Sequence, residues 1–245
     1  MNRLEMAEEI ANHVPVLAEY DKDKWKTSEN KRTEFVADYP INRILSLKID
    51  EYVIGKGPTN RSFCYRIERE MDTLGRILGS TAFKFGVYFG RTKSDSTEEY
   101  RCRPHWGATP DEAFPAVKRA IADLLEAAAG DSAAIAENPL SPMLKGKLLF
   151  LYHPNQYAPI YSEEHLEHFI SELDLAGSFN GGPDMQRALM DYRATWPELT
   201  KCSEARLATP SHHTIRIEAN TRSKRFNTSS TELFATNWEN PKRSK

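Results

Sequence analysis

Apolar residues recur along the chain at two spacings, and the change between them predicts helices on either side of a strand hairpin. Between residues 62 and 74 the apolar positions lie three or four residues apart, which is the period of one helix face. They are Phe63, Ile67, Met71 and Leu74. Ser62 precedes them as a predicted N-cap, and Gly75 follows them as a predicted helix end. On this helix Arg66 and Glu68 fall outside the apolar stripe.

Residues 82–90 alternate between apolar and polar positions, which is typical of a strand with one buried face. The apolar members are Phe83, Phe85, Val87 and Phe89. A polar turn, K-S-D-S-T-E, follows, and Tyr100 and Cys102 then alternate with arginines in a return strand. We expect the phenylalanines to pack onto helices over 62–74 and 109–128. The predicted outer face of the hairpin carries Lys84, Tyr88, Arg101 and Arg103.

Helical spacing and helix-start signals dominate the rest of the chain. Thr109-Pro110-Asp111-Glu112 combines a capping threonine, a proline and acids at the positive end of the helix dipole, so a helix should begin there. The apolar run after Pro142 fits a buried helix or a central strand, and we favour the helix. The charged run 21–32 predicts a loop or the solvated start of a helix. Further helices or helical turns are predicted within residues 4–11, 33–39, 41–54, 163–173 and 183–196.

These elements together predict an α+β fold, a mostly helical single domain with a small antiparallel hairpin. We expect this domain to cover residues 1–202. Residues 203–245 are rich in Ser, Thr, Asn, Lys and Arg, which predicts a basic, polar and poorly packed C-terminal tail. Within that tail, His213–Ala219 is a candidate strand.

The composition of the 245-residue chain is that of a folded protein in a reducing compartment. An apolar content of 40% is enough for a sizeable core. The three cysteines match neither a disulfide framework nor a zinc pattern. The acidic N-terminus lacks the layout of a signal peptide, and no apolar run approaches the roughly 18 residues that span a bilayer. We therefore expect a cytoplasmic protein with no membrane partner.

The net charge of −2 hides a segregation of charge along the chain. Residues 55–106 carry 10 basic and 6 acidic side chains, whereas residues 107–205 carry 7 basic and 15 acidic ones. Residues 1–54 are acidic as well, with 8 basic and 11 acidic side chains, and residues 206–245 are basic, with 8 and 3. Residues 55–106, which we call the basic island, therefore lie between acidic flanks. A local field of this kind can steer a charged partner.

Side chains for catalysis or metal binding follow no established pattern in this sequence. His165 and His168 have a spacing that can hold a metal, but no carboxylate or cysteine stands beside them at ligand spacing. The chain lacks the lysine-bearing phosphate loop of nucleotide hydrolases. Glu98, Glu99 and Lys84 are the nearest approximation to a magnesium nuclease site. The sequence thus predicts no catalytic residue, no metal and no cofactor, and leans against an enzyme.

The basic island combines cations with aromatic residues, a pairing typical of nucleic-acid surfaces, where cations contact phosphates and rings stack on bases. The candidate DNA-binding residues are Arg61, Arg66, Lys84, Tyr88, Arg91, Arg101, Arg103 and Trp106. Of these, Tyr88 and Trp106 are the candidates for stacking on a modified or flipped base. The same composition also fits aromatic residues in a core with an ordinary rim of arginines. Both interpretations stay open at this point.

Four stretches of the sequence resemble a module of prokaryotic defence proteins. They read F-V-A-D-Y-P-I-N-R-I-L-S-L-K-I-D-E-Y-V-I-G, S-F-C-Y-R-I-E-R, L-G-R-I-L-G-S-T-A-F-K-F-G-V-Y and K-L-L-F-L-Y-H-P-N-Q-Y-A-P-I-Y-S-E-E-H-L. The similarity covers about residues 33–200. The chain resembles the module that precedes the ATPase domain in McrB-type restriction proteins. A similar module accompanies nuclease domains in related anti-phage proteins. This chain departs from the pattern in lacking an ATPase or nuclease segment and in its continuation after Cys202.

The resemblance implies a non-catalytic module that recognises foreign or modified DNA for a restriction or antiviral system. Cleavage and motor chemistry would then come from a partner nuclease or ATPase subunit. The alternative is a protein-interaction adaptor whose acidic 107–205 region docks such a partner. A divergent magnesium-dependent nuclease is a third and weaker interpretation.

Overall fold

The structure, a computed structural model, describes residues 22–56 and 61–195, with side chains from residue 26 onward. Its helices are α1 (Lys22–Asp38), α2 (Ile41–Ser46), α3 (Ile49–Tyr52), α4 (Phe63–Tyr65), α5 (Thr81–Phe85), α6 (Pro110–Ala127), α7 (Ser132–Glu137), α8 (Pro142–Tyr152), α9 (Glu163–Glu172) and α10 (Gly182–Ala194). Strands β1 (Val87–Gly90) and β2 (Glu99–Cys102) form one antiparallel pair. This part of the chain is a mostly helical α+β domain, as predicted. No helix within it combines the length and apolar character needed to cross a membrane.

Two predictions lie outside the described residues. The first is the helix predicted within residues 4–11. The second is the C-terminal tail over 203–245, with its candidate strand His213–Ala219.

The first helices are separated where a proline interrupts the sequence. α1 ends at Asp38, and Pro40, which is extended at φ −63° and ψ 161°, precedes α2. Phe35 and Tyr39 bury their rings at the end of α1. Residues 22–32 of the charged run are helical, so this part of the run is the start of a helix and not a loop.

The predicted helix over 62–74 is present, with the predicted cap and end. The Ser62 Oγ accepts a hydrogen bond from the N–H of Tyr65 at 3.3 Å. Gly75 follows the last helical turn at φ +98°, a conformation that favours glycine. All four predicted apolar residues of this segment are buried. Local capping signals therefore located this element correctly.

The middle of this segment departs from regular α-helix. After α4 the chain forms a π-helical stretch, Arg66–Glu70, in which the N–H of Met71 bonds to the carbonyl of Arg66 at 3.1 Å. A 3₁₀ turn, Asp72–Leu74, completes it. Since a π turn adds a residue, side chains there leave the faces that a 3.6-residue period assigns. The prediction that Arg66 lies outside the buried face is wrong, because this residue is 4% exposed.

The strand hairpin is shorter than predicted, because its first residues form a helix. The Ser80 Oγ accepts a hydrogen bond from the N–H of Phe83 at 3.2 Å and caps α5, and Gly86 ends α5 at φ +75°. β1 therefore begins at Val87. The predicted strand over 82–86 is wrong. A side-chain cap and a positive-φ glycine define a helical turn there, and alternation over a few residues is a weaker signal than these two.

The phenylalanines of this stretch have three different environments. Phe85 is fully buried, Phe89 packs at the edge of the main core, and Phe83 is 45% exposed. The prediction that these rings pack inward is therefore confirmed for Phe85 and wrong for Phe83. The hairpin itself packs against α6.

α8 runs through the centre of the main core. Its residues from Leu144 to Leu151 are all buried, so the apolar side chains surround the helix and show no single-face period. That is why spacing alone left helix and strand open, and the helix that we favoured is the correct one. The buried set includes Lys145 and Lys147, whose ammonium groups donate to backbone carbonyls.

A smaller apolar cluster lies between α9 and α10. Leu166 of α9 and Leu189 and Met190 of α10 are buried in it. Ser162 caps α9, its Oγ accepting from the N–H of His165 at 3.5 Å. The two helices pack against each other, and α10 also contacts α8, which joins this cluster to the main core.

Candidate nucleic-acid interface

The outer face of the hairpin brings three of the predicted residues together. In the β1–β2 register Tyr88 lies opposite Arg101, and directly opposite residues share a face of the sheet. Arg103 is two residues beyond Arg101 and therefore lies on the same side, with its N–H donating to the carbonyl of Gly86 at 2.9 Å. Lys84, the fourth residue predicted for this face, belongs to α5 instead.

Arg101 is held against the turn of the hairpin. Its guanidinium donates to Asp95 and to the Gly90 carbonyl, the latter at 3.1 Å, and lies 3.0 Å from Glu99. Its side chain is 17% exposed. The hydrogen bond from the Thr97 N–H, followed by that from Arg101, lowers the pKa of Asp95 to about 2. This carboxylate is therefore charged throughout the physiological range.

Arg103 is the one cation of the predicted site that has no carboxylate partner among the described residues. Its guanidinium carbon lies 5.2 Å from the centre of the Phe83 ring, within the range of a cation–π contact. Phe83 was not predicted as a site residue, because alternation assigned it to a buried strand face. The signal that locates it is local, since Ser80 and Gly86 bracket a short capped helix. We refer to Phe83, Tyr88, Arg101 and Arg103 as the hairpin face.

Arg66 is buried and does not belong to any exposed surface. Its side chain is 5% exposed, and its guanidinium carbon lies 5.4 Å from the ring centre of Phe35 and 5.6 Å from that of Tyr39. Its Nη1 donates to Asp38 at 2.5 Å and its Nη2 to Glu34 at 3.3 Å. α1 and the residue after it thus supply the two rings that cover this cation, and Asp38, Glu34 and Glu70 are its acidic neighbours. This corrects the prediction that Arg66 lies on a DNA-binding surface.

Lys84 requires the same correction. It is 4% exposed, and its Nζ donates to Glu68 Oε1 at 2.7 Å and lies 5.8 Å from the centre of the Phe85 ring. Because it stands on a helix and not on a strand, its side chain enters the interior. The nuclease interpretation needed this amine beside Glu98 and Glu99, and the structure commits it to another carboxylate.

Arg61 and Arg91 are exposed, and each has an acidic neighbour. The Arg61 side chain is 58% exposed and donates to both carboxylate oxygens of Glu70. The Arg91 side chain is 63% exposed, with Nη2 3.2 Å from Glu98. The Arg91–Glu98 pair is exposed on both sides, and pairs of this kind contribute less than about 1 kcal/mol, so Arg91 remains accessible to another anion. Arg61 is held more firmly, because its partner Glu70 is only 15% exposed.

Trp106 packs against the turn between α5 and β1. A Cβ on Gly86 would lie 2.6 Å from the indole Nε1, so only a glycine leaves room for this ring. The indole is partly buried against the main core, and its ring centre is 5.0 Å from that of His105. Trp106 therefore packs between Gly86 and the main core, and this contact helps to position the start of β1.

The other reactive side chains do not assemble into a site within the described part of the chain. That part contains no group of three or more metal-ligating side chains. His165 and His168 are exposed on α9. Cys64 is fully buried, and burial raises the pKa of its thiol well above the ordinary value, which keeps it protonated and unreactive.

Comparisons of the chain with models of protein families, with curated proteins and with solved structures found no match. The function has to be inferred from the residues and their arrangement.

Proposed function

We propose that the protein is a non-catalytic DNA-recognition module of a prokaryotic restriction or anti-phage system and acts in the cytoplasm. The observation that carries this proposal is the hairpin face, in which Tyr88 lies opposite Arg101 in the strand pair and Arg103 lies against the exposed ring of Phe83. The resemblance to the module of McrB-type restriction proteins supports the same role. A partner nuclease or ATPase subunit would supply cleavage.

The two arginines of the hairpin face differ in what they give up on binding phosphate. Arg103 forms no ion pair with a described residue, so it gives up none on binding an anion. Arg101, which is only 17% exposed, would exchange its contacts with Asp95 and Glu99 and its hydrogen bonds to the Gly90 and Thr97 carbonyls. Arg91 follows β1 directly and is a third cation of the hairpin, with a side chain that is 63% exposed.

The test is a fluorescence-anisotropy titration of short DNA, as plain duplexes, base-modified duplexes and single strands of the same length, at two salt concentrations. With Arg91, Arg101 and Arg103 on phosphates, the log–log salt slope should be about −3, since each contact releases counterions. The combined change Arg101→Ala and Arg103→Ala should weaken binding and make this slope shallower by about 2. Arg76→Ala is the matched control, because it removes an arginine that is 68% exposed and lies outside the hairpin face. Absence of binding to every duplex and single strand at low salt, or binding that survives the double change, contradicts the proposal.

A second candidate function, a protein-interaction adaptor, is favoured by the charge of the C-terminal half. Residues 107–195 carry 13 acidic and 6 basic side chains. Glu163, Glu164 and Glu167 of α9 are exposed, and none of them forms an ion pair with a described residue. In the basic island, by contrast, most cations of the predicted site are already paired. A basic surface on a nuclease or ATPase subunit would complement the acidic face of α9.

The adaptor function is tested by neutralising this face. Glu163→Gln, Glu164→Gln and Glu167→Gln together should abolish co-purification of a nuclease or ATPase subunit from the source cells, identified by mass spectrometry. The control variant, Asp123→Asn with Glu126→Gln, removes exposed acids of α6 and should retain the partner. A protein that binds no DNA but captures such a subunit through α9 is an adaptor.

A further inference from the structure

The ring of Phe83 is exposed and yet fixed by its surroundings. The Phe83 N–H donates to the Ser80 Oγ at 3.2 Å, and this hydrogen bond fixes the backbone of Phe83 in the first turn of α5. Gly79, at φ +107°, lies so close that a Cβ on it would stand 3.3 Å from the Phe83 Cδ1. Arg103 approaches the ring centre to 5.2 Å. A ring held in this way loses little conformational freedom when it binds a flat ligand, so it is preorganised for stacking.

The neighbours of Phe83 favour a ligand that is flat, apolar on its face and anionic at its edge. Leu78 is 65% exposed and adds apolar surface just before α5. Lys84 faces inward and is neutralised by Glu68, so it places no charge beside the ring. Arg103 forms no ion pair with a described residue and retains N–H donors for a phosphate. An aromatic platform beside a cation is the arrangement with which proteins bind nucleic-acid strands that expose their bases.

We propose that Phe83 is a stacking platform for an unpaired base of single-stranded nucleic acid, and that Arg103 binds the adjoining phosphate. This inference rests on the proposed function and narrows its target. In a duplex the faces of the bases are covered by their neighbours, so an exposed ring has nothing to stack on. A flipped base is taken into an enclosing pocket, whereas the Phe83 ring lies on the open surface. The geometry therefore fits a single strand better than an intact duplex.

The experiment compares four probes with the full chain by anisotropy. They are a thymidine oligomer of about twelve nucleotides, a uridine RNA of the same length, a matched duplex, and an abasic DNA of the same length. Phe83→Leu keeps an apolar side chain but removes the aromatic face. It should weaken binding of the thymidine oligomer by roughly 5- to 100-fold, and leave binding of the abasic strand, which retains the phosphates, unchanged. Phe83→Trp should restore binding. Tyr65→Leu is the control, because Tyr65 is an exposed aromatic residue, at 37%, outside the hairpin face.

The outcomes separate this inference from the proposed function. Equal losses on the thymidine and abasic strands, or a duplex bound as tightly as the single strand, would overturn stacking on Phe83 and leave DNA recognition standing. Failure to bind any of the four probes would overturn both. The ratio of thymidine to uridine affinity shows whether DNA or RNA is the preferred strand, since the two bases differ only by the C5 methyl group of thymine.

Discussion

Lys147 shows how far one residue can depart from its ordinary chemistry inside this core. It is fully buried on α8, and its Nζ donates to the carbonyls of Met71 at 2.6 Å and Gly75 at 2.7 Å. The ring centre of Tyr161 lies 5.2 Å from the ammonium. Burial lowers the pKa of Lys147 to about 7, and the charge of Asp72 opposes this shift without cancelling it. The amine ties the end of the 62–74 segment to the central helix.

The depressed pKa predicts a specific pH dependence of stability. Between pH 7 and the ordinary lysine pKa the unfolded chain binds this proton and the folded chain does not, so the free energy of unfolding rises with pH across this window. The slope from one such group approaches about 1.4 kcal/mol per pH unit, and below pH 7 the penalty is constant. Urea unfolding at pH 7, 8 and 9 should show this rise, and Lys147→Met should flatten it. Lys93→Met, at an exposed site, should not. Parallel curves for all three proteins would contradict the assignment.

At the scale of elements, the junction between α5 and β1 sets the position of the hairpin face. Gly86 stands there at φ +75°, turning the chain from helix to strand. A Cβ at this position would lie 2.6 Å from the Trp106 Nε1 and 3.0 Å from the Val117 Cγ2. Two requirements therefore coincide at one residue, a left-handed backbone and close packing against an indole and α6.

Gly86→Ala should accordingly destabilise the protein by more than about 1 kcal/mol, since it adds crowding to backbone strain. Gly130→Ala is the matched control, because Gly130 has φ +148° but no atom lies within 4 Å of its added Cβ. The control isolates conformational strain. Chemical denaturation of the three proteins measures the difference, and equal losses at the two positions would show that packing against Trp106 contributes nothing.

At the scale of the whole molecule, charge is distributed in two different ways. The N-terminal half pairs its cations with acids across elements, as in the cluster of Arg61, Arg66 and Glu70, where Arg61 lowers the pKa of the Glu70 carboxyl. The C-terminal half presents exposed carboxylates on α9, where Glu163 and Glu167 are one helical turn apart. The paired charges stabilise the fold. The exposed carboxylates of α9 create a negative electrostatic field that can attract a basic partner.

Neutralising one acid in each half should distinguish the two arrangements. Glu70→Gln removes hydrogen bonds to a charged partner from a side chain that is 15% exposed, and should cost about 1–3 kcal/mol of unfolding free energy. Glu167→Gln should change stability by less than about 0.5 kcal/mol, or increase it slightly by relieving repulsion from Glu163. Thermal and urea unfolding at low salt measure both. A larger loss at Glu167 would mean that α9 is held by contacts of its acids.

The sequence by itself determined where several of the described helices begin, and where the segment after Ser62 ends. Ser62 and Thr109 each act as the predicted N-cap, and Gly75 ends the segment after the first of them. These signals are read correctly because a cap or a positive-φ glycine acts within one turn of its own position. Period-two alternation likewise placed Tyr88, Arg101 and Arg103 on one face, since the pleat of a strand is local geometry.

The tertiary structure alone decided which side chains of the basic island reach solvent. Arg66 is covered by α1, whose residues lie about thirty positions earlier in the chain, and Lys84 is neutralised by Glu68 of the π-helical stretch. Phe83 is exposed although its neighbour Phe85 is buried, because α5 turns them to different sides. Burial and ion pairing depend on residues that come together only on folding. They therefore cannot be predicted from the spacing or the composition of the basic island.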